Sequence, residues 1–301
     1  MRRAFVLGAL LALGGLSITL RAVFEQGPAR GDQSPAKVEV EKIKDSLYLF
    51  KGGGGNSAVF LTDLGVVIVD TKLAGWGQPI VDKLKTITSK PVTMLINTHT
   101  HGDHTGSNEF FSTAVEIVAH ENTRANMEKM DAFKGNKVNY LPKLMFKDRM
   151  SLGAGKDKIE LYYFGAGHTD GDAWVVFPAL RVMHAGDMFA GKQPPLIDRR
   201  NGGSGIAYPD TLAKAAAVKA VDTIITGHSG LTTMADLQEY ARFNLDFRDL
   251  VVDGFDRGRS VSEVVSQWKL PEKYKGYAVG DGQRLVDNVE QMFGELAKRQ
   301  P

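Results

Sequence analysis

Hydrophobic residues in the first half of the chain fall into short runs that predict β-strands. Residues 66–69 are four consecutive β-branched residues, which is typical of a strand buried on both faces of a sheet. Residues 92–97 form a similar run and lead directly into a histidine-rich segment. Between these runs, the apolar spacing of residues 79–87 predicts a helix that Pro91 closes. Shorter strands are predicted at residues 47–50 and 57–61, on either side of four consecutive glycines at 52–55.

The second half of the chain repeats the alternation of short strands with glycine-containing turns, and its tail is helical. Strands are predicted at residues 159–164, 173–177, 181–184 and 221–225. Helices are predicted at residues 211–218, 234–251, 262–268 and 284–298. One face of the last helix carries Leu285, Val289, Met292, Phe293 and Leu296. We interpret this face as a surface that docks on the domain, with a dimer seam as the alternative.

The N-terminus has the pattern of a targeting segment rather than of the fold. Arg2 and Arg3 precede the uncharged, mostly apolar residues 5–20, a run that is shorter than the ~20 residues of a membrane span. Residues 1–24 are therefore predicted to be a signal peptide, with a retained membrane anchor as the alternative. Residues 25–37 contain two prolines and two glycines and are predicted to be a linker. The paired arginines resemble a twin-arginine export signal, so we expect a periplasmic or secreted protein.

Composition narrows the chemistry that the chain can perform. The 301 residues include no cysteine, which excludes disulfides, thiolate metal ligands and a cysteine nucleophile. The formal net charge is +2, and the predicted leader contains three arginines and no acid. No basic cluster that would bind nucleic acid is evident. We therefore expect a small-molecule substrate, no nucleic-acid partner and no membrane association after leader cleavage; the oligomeric state is left open.

The strongest chemical signal is the segment Thr98-His99-Thr100-His101-Gly102-Asp103-His104. Three histidines and an aspartate so close together cannot all be buried without partners, because the cost of desolvating them would be prohibitive. Imidazole and carboxylate side chains together suit Zn²⁺, although iron and manganese accept the same ligands. The segment follows a predicted strand directly, so we expect a metal site at a sheet edge that is open to substrate.

The segment from His99 to His104 matches the His-x-His-x-Asp-His motif and resembles the metallo-β-lactamase superfamily. The other motifs of that family follow in register at Asp70, His168, Asp187 and His228. The resemblance implies a four-layer αβ/βα sandwich, in which two mixed β-sheets pack face to face and are flanked by helices. Residues 38–301 would form this domain, with a helical C-terminal segment from about residue 231.

The resemblance also implies a role for each matching residue. It implies two zinc ions per chain, the first bound by His99, His101 and His168. The second would be bound by Asp103, His104 and His228, and Asp187 would bridge the two. Asp103 and Asp187 would also act in catalysis. Asp70 and His184 are predicted to support the ligands from behind.

The implied function is metal-dependent hydrolysis of an acyl bond in a β-lactam, lactone, ester or thioester, by hydroxide that bridges the two metals. The β-lactamases of this family usually carry cysteine or serine where this chain has Asp187, so the substrate stays open. The alternatives are a mononuclear-iron sulfur dioxygenase and a glyoxalase-II-like thioesterase. A nuclease or phosphodiesterase is a weaker alternative, because no basic arm is present.

We predict that the mature protein is exported and lacks the first two dozen or so residues. The reason is the basic start followed by an apolar run that ends at Leu20. N-terminal sequencing of the protein from fractionated cells checks the prediction. An intact N-terminus in the cytoplasm contradicts it, and an intact N-terminus in the membrane fraction selects the anchor alternative.

Overall fold

The computed structural model describes residues 37–279 and 282–299, and these residues form two mixed β-sheets. The first sheet has seven strands that follow one another in chain order. Its first four strands pair antiparallel, and its last four pair parallel. The strands are β1 (Glu39–Lys44), β2 (Leu47–Lys51), β3 (Ser57–Leu61), β4 (Val66–Val69), β5 (Val92–Ile96), β6 (Glu116–His120) and β7 (Leu144–Phe146).

The second sheet has six strands, also in sequence order across the sheet. One pair is parallel, and the other pairs are antiparallel. The strands are β8 (Arg149–Leu152), β9 (Ile159–Tyr162), β10 (Trp174–Phe177), β11 (Val182–His184), β12 (Thr223–Ile225) and β13 (Leu231–Thr233). The parallel pair is β11 with β12.

Helices cover the outer faces of both sheets. The helices are α1 (Gly77–Lys85), α2 (Gly102–Thr105), α3 (Glu121–Met127), α4 (Tyr208–Ala216), α5 (Met234–Asp256), α6 (Val261–Gln267) and α7 (Gly282–Ala297). No helix in the described part of the chain is both long and apolar enough to cross a membrane.

The alternation of side chains in β4 explains the layered core. Val67 and Val69 point into the cluster between the two sheets. Val66 and Ile68 point the other way, into the cluster that also contains Ile80 of α1. Successive side chains of a strand point to opposite faces, so one β-branched run serves two hydrophobic layers. The predicted sandwich of two mixed sheets with helices outside is confirmed.

The apolar face of α7 docks on the domain, as its spacing predicts. Leu285, Val289 and Met292 are buried in the cluster that covers the outer face of the second sheet. Phe293 and Leu296 pack against the same cluster and are partly buried. A helix of this length gains most of its stability from burying such a face.

The strands and helices that the sequence predicts are all present, with ends that shift by a few residues. The sequence pattern missed β1, β6, β7, β8 and β13. Strand β1 has the sequence EVEKIK and lies at the sheet edge, where its charged side chains stay in solvent and leave no apolar run. The predicted signal peptide at residues 1–24, and the linker up to residue 36, lie outside the described residues.

The ends of the strands converge where the chemistry is expected. Strand β4 ends just before Asp70, and β5 ends just before the histidine-rich segment. The two sheets are joined at this edge by backbone hydrogen bonds. Ala173 N–H donates to Thr98 O at 2.7 Å, and Asn56 N–H donates to Gly227 O at 2.7 Å. The fold therefore brings loops from both sheets to one rigid edge.

Candidate metal centre

The structure brings all seven predicted metal ligands together at this edge. They come from four loops, each of which follows a different strand. The ligands follow β5, β9, β11 and β12 and are His99, His101, Asp103, His104, His168, Asp187 and His228. Because each loop leaves a strand of a hydrogen-bonded sheet, the positions of the ligands are set by the rigid part of the fold.

A first cluster contains His99, His101, His168 and Asp187, with one ligating atom of each within 4.8 Å of the others. His101 Nδ1 lies 3.0 Å from His168 Nε2. Asp187 Oδ2 lies 3.8 Å from His168 Nε2 and 4.0 Å from His99 Nε2. Three imidazoles and a carboxylate around one point are a common zinc donor set.

A second cluster contains Asp103, His104 and His228, again with their ligating atoms within 4.8 Å. Asp103 Oδ2 lies 3.3 Å from His228 Nε2 and 3.6 Å from His104 Nε2. His104 Nε2 and His228 Nε2 lie 3.4 Å apart. The two imidazoles and the carboxylate converge as the ligands of a second ion would.

Asp187 joins the two clusters. Its Oδ1 lies 3.3 Å from His104 Nε2, and its Oδ2 lies 3.2 Å from His228 Nε2. The same Oδ2 faces His99 and His168 of the first cluster. One buried carboxylate thus faces the ligands of both clusters, which is the arrangement expected of a bridging ligand.

Two orphaned atoms test whether the residues fit metal ions. His99 Nε2 and Asp187 Oδ1 are buried and have no hydrogen-bond partner. Leaving such atoms unpaired is costly in a folded protein, and a cation between the clusters would satisfy both of them. The nitrogen and oxygen donors present here fit zinc.

The pKa shifts at the centre point the same way. Burial, reinforced by the neighbouring imidazoles, holds the pKa of His99 well below its ordinary value and lowers that of His168 to about 4. Both rings are therefore neutral at pH 7, which is the form that binds metal. Burial opposes charge on His104, but the carboxylates of Asp187 and Asp70 outweigh it and raise the pKa of His104 well above its ordinary value. The buried carboxylates thus require positive charge nearby.

Three of the seven ligands are exposed in the described part of the chain. The side chains of His101 and Asp103 are each 26% exposed, and that of His228 is 37% exposed. The remaining four ligands are almost fully buried. The three exposed ligands come from both clusters and define the open side of the centre.

Asp70 lies directly behind the histidine loop. Its Oδ1 accepts a hydrogen bond from Thr98 N–H at 2.8 Å, and its Oδ2 accepts from Thr98 Oγ1 at 2.7 Å and His104 Nδ1 at 2.6 Å. The bond to Nδ1 leaves Nε2 of His104 free to face the second cluster. Asp70 has a φ of 63°, a conformation that few residues other than glycine adopt.

His184 contacts the backbone next to the ligands rather than the ligands themselves. Its Nε2 donates to Asn56 O at 3.1 Å, and its Nδ1 accepts from Gly186 N–H at 3.0 Å. Gly186 precedes Asp187 and has a φ of 50°. His184 thus helps to fix the turn that presents Asp187, without itself facing the clusters.

Two residues that the sequence pattern missed also support the centre. Lys72 is buried, and its Nζ donates to Phe50 O at 2.8 Å and to Gly55 O at 2.9 Å. These bonds hold the glycine loop in place. Burial lowers the pKa of Lys72 to about 7, although the nearby carboxylates act to raise it. Asp198 Oδ2 lies 2.7 Å from His101 Nε2. Burial opposes ionisation of Asp198, but the hydrogen bonds from His101 and Asn201 hold its pKa well below the ordinary value. Neither residue lies in an apolar run or a ligand motif, so no local signal identified it.

Comparisons with known proteins identify the family of the chain. The sequence profile of the metallo-β-lactamase superfamily matches residues 51–228. The chain is 31% identical over 173 residues to Metallo-beta-lactamase type 2 of Elizabethkingia meningoseptica, and the match covers 52% of this chain and 64% of that protein. It is 24% identical to Metallo-beta-lactamase IND-1 of Chryseobacterium indologenes over 62% of this chain and 80% of that protein. It is 27% identical to the alpha subunit of 2,4-dinitroanisole O-demethylase of a Nocardioides strain, over 54% of this chain and 49% of that subunit.

Solved structures show the same fold. A metallo-β-lactamase from Pontibacter korlensis superposes with a TM-score of 0.61 at 20% identity, and covers 69% of this chain and 99% of its own. The DIM-1 metallo-β-lactamase superposes with a TM-score of 0.57 at 17% identity, over 68% of this chain and 97% of its own. Each superposition therefore leaves about three tenths of this chain without a counterpart.

We predict that Gly227→Ala weakens metal binding at both clusters. A Cβ at residue 227 would lie 2.0 Å from Asp187 Oδ1, so the carboxylate would have to move. The matched control is Gly230→Ala, because nothing lies within 4 Å of a Cβ there. Competition with a chelator measures the affinities. We expect a loss of about 10-fold or more for Gly227→Ala and little change for Gly230→Ala. Equal affinities in the two variants would contradict the bridging position of Asp187.

Proposed function

This chain belongs to the metallo-β-lactamase superfamily and is a metal-dependent hydrolase, and from that premise we propose a dinuclear zinc enzyme that cleaves an acyl bond of a small molecule outside the cytoplasm. The observation that carries the proposal is the position of Asp187. Its carboxylate is buried and lies 3.3 Å from His104 and 3.8 Å from His168, which belong to different clusters. A single metal ion would be bound by one of these two clusters and would leave the ligands of the other without a cation.

Each cluster would hold one ion. His99, His101 and His168 would bind the first, and the second would be bound by Asp103, His104 and His228. Two zinc ions supply a water of lowered pKa and polarise the carbonyl that is attacked. No cysteine competes for the metal, and every donor is nitrogen or oxygen.

The protein contributes positioning and charge. Asp103 lies at the open side, 3.3 Å from His228, where its carboxylate would orient the attacking water. Hydrogen bonds to Asp70 and to the carbonyl of Leu196 hold the rings of His104 and His168 in one orientation. The substrate would approach past His101, Asp103 and His228, the three exposed ligands. Such preorganisation lets the groups act on the transition state without first rearranging.

Asp187 would favour esters and lactones over β-lactams as substrates. A carboxylate shared by two metal ions would add a negative charge between them and occupy a position on each. Both effects would weaken the metals as Lewis acids and crowd the space needed by the leaving nitrogen of a β-lactam. Two relatives carry the name metallo-β-lactamase and a third is named for O-demethylation, so the related sequences do not select one substrate class.

A mononuclear-iron sulfur dioxygenase is the competing hypothesis, and the metal content of the protein distinguishes it from a dinuclear zinc hydrolase. The iron of such an enzyme would need one cluster only, and Asp103, His104 and His228 would then have no ligand role. We expect two zinc ions per chain in the purified mature protein. Elemental analysis that finds a single iron, together with oxygen uptake on a persulfide, would overturn the proposal.

We predict that Asp103→Asn keeps the fold but lowers turnover by orders of magnitude. Asparagine has nearly the same shape but lacks the charge that holds the second metal and orients the water. The matched control is Asp222→Asn, which replaces a surface aspartate paired with Arg181. Turnover of an ester or lactone and metal content are measured for both. Wild-type turnover in Asp103→Asn would show that the second cluster is not catalytic.

We predict that Asp187→Ser shifts the preference of the enzyme toward β-lactams, although it weakens metal retention. The substitution removes the bridging charge and frees a position on each metal. The measurement compares kcat/KM for nitrocefin and for a simple lactone in both proteins at saturating zinc. A natural enzyme that already prefers nitrocefin, or a variant that loses both activities equally, would show that Asp187 does not set the substrate class.

A further inference from the structure

A loop that lies between Asp187 and His228 in the chain contacts two histidines of the first cluster through the ring nitrogens that face away from it. We refer to residues 195–205 as the bracket loop. Leu196 O accepts a hydrogen bond from His168 Nδ1 at 2.7 Å. Asp198 Oδ2 lies 2.7 Å from His101 Nε2. The same loop therefore faces both imidazoles on the side away from the cluster.

These contacts decide which nitrogen of each ring carries its proton. A neutral imidazole has one N–H and one lone pair, and a carbonyl or carboxylate oxygen can only accept. Leu196 thus selects the Nδ1–H form of His168, which leaves Nε2 free. Asp198 selects the Nε2–H form of His101, which leaves Nδ1 free. The two nitrogens left without a proton lie 3.0 Å apart inside the first cluster, where their lone pairs require a cation between them.

Asp198 is itself held firmly. Its Oδ1 accepts hydrogen bonds from the N–H groups of Arg200 at 2.9 Å and Asn201 at 3.3 Å. Its Oδ2 accepts from Asn201 Nδ2 at 2.6 Å, and its own N–H donates to His168 O at 2.8 Å. Oδ1 therefore caps the backbone of the turn that follows, while Oδ2 faces His101 and also accepts from the Asn201 side chain. A short capping side chain can keep the first role and lose the contact with His101.

The C-terminal helix α7 fastens the bracket loop along its length. Asn288 Nδ2 donates to Pro195 O at 2.8 Å, and Gln291 Nε2 donates to Gly203 O at 2.8 Å. Glu295 Oε1 accepts from Gly205 N–H at 2.9 Å. Asn288 and Gln291 are buried polar residues on a helix that otherwise docks through apolar side chains. The helix lies beyond residue 228, where the match to the family profile ends.

The bracket loop also packs closely against the backbone of His168. A Cβ at residue 203 would lie 2.3 Å from His168 O, so only glycine allows this approach. Gly203 N–H donates to Asp198 O at 2.8 Å. The loop, His168 and α7 therefore form one continuous hydrogen-bonded unit behind the first cluster.

We propose that Asp198 is a positioning residue that presents His101 to the first metal, and that the polar face of α7 keeps the bracket loop in the place where Asp198 can do so. The proposal rests on the proposed function for the identity of the metal. The positioning itself is a property of the metal-free protein and can be tested without it.

The first experiment separates positioning from capping. Asp198→Ser keeps a side chain that caps the turn well but is too short to reach His101. Asp198→Asn keeps an oxygen that can accept from His101 Nε2 and serves as the conservative variant. Long-range ¹H–¹⁵N NMR of the metal-free protein at mildly alkaline pH reports the tautomer of His101, whose signals are assigned from their loss in His101→Gln.

We expect the Nε2–H form of His101 in the natural protein and a mixture of tautomers in Asp198→Ser. Zinc affinity at the first cluster should fall about 10- to 100-fold in Asp198→Ser, and Asp198→Asn should restore a part of it. The thermal midpoint of the metal-free protein should change little. A natural tautomer and natural affinity in Asp198→Ser would overturn the proposal. A natural protein that binds no second zinc would instead refute the proposed function, while the NMR result would still decide this inference.

The second experiment tests the helix. Gln291→Leu removes the hydrogen bond to Gly203 O. The matched control is Gln283→Leu. Gln283 is exposed on the same helix, and among the contacts described it bonds only to Asp287. We expect first-cluster zinc affinity to fall several-fold in Gln291→Leu and to stay unchanged in Gln283→Leu. Equal affinities in the two variants would show that α7 supports the fold without acting on the metal centre.

Discussion

The burial of the Asp187 carboxylate among imidazoles is the constraint on which the rest of the structure depends. A carboxylate taken out of water is stable only where positive charge or strong hydrogen bonds replace the lost hydration. Here its oxygens face His99, His168, His104 and His228 at 3.2–4.0 Å, and Oδ1 has no hydrogen-bond partner. Two cations between these groups would satisfy all of them at once. The loops must therefore bring these side chains together with little freedom, and the surrounding structure is organised to do so.

Two loops that carry ligands, and the glycine loop beside them, are each fixed by a different buried group. Asp70 holds the histidine segment through Thr98 and His104, and His184 holds the turn before Asp187. Buried Lys72 holds the glycine loop through its bond to Gly55 O. This loop lies so close to the ring of His104 that a Cβ at residue 55 would be 2.2 Å from its Cε1 atom. Such supporting groups set the orientation of a ligand and its tautomer, and thereby its affinity for metal. Among the described residues, the edge that carries the ligands is thus held firmly from within, and His101, Asp103 and His228 are its exposed ligands.

The C-terminal part of the chain extends this support beyond the region that matches the family. Helix α7 buries Leu285, Val289 and Met292 on the second sheet, and the same helix directs Asn288 and Gln291 to the carbonyls of the bracket loop. Its apolar face provides stability, and its polar contacts provide a connection to His101 and His168. Because buried amide groups must be paired, these contacts also fix the register in which the helix docks.

The sequence by itself determined the elements that depend on local pattern. The β-branched run at Val66–Val69 predicted a strand buried on both faces, because alternate side chains enter two different cores. The spacing of His99, His101, Asp103 and His104 predicted a metal site, and the family resemblance supplied the distant ligands. Only the tertiary structure decided that Asp198 faces His101, 97 residues away, and that α7 holds the bracket loop on which Asp198 lies. Those contacts join irregular backbone across the fold. They depend on where two sheets and a helix come to lie, and such long-range placement leaves no periodic trace in the residues themselves.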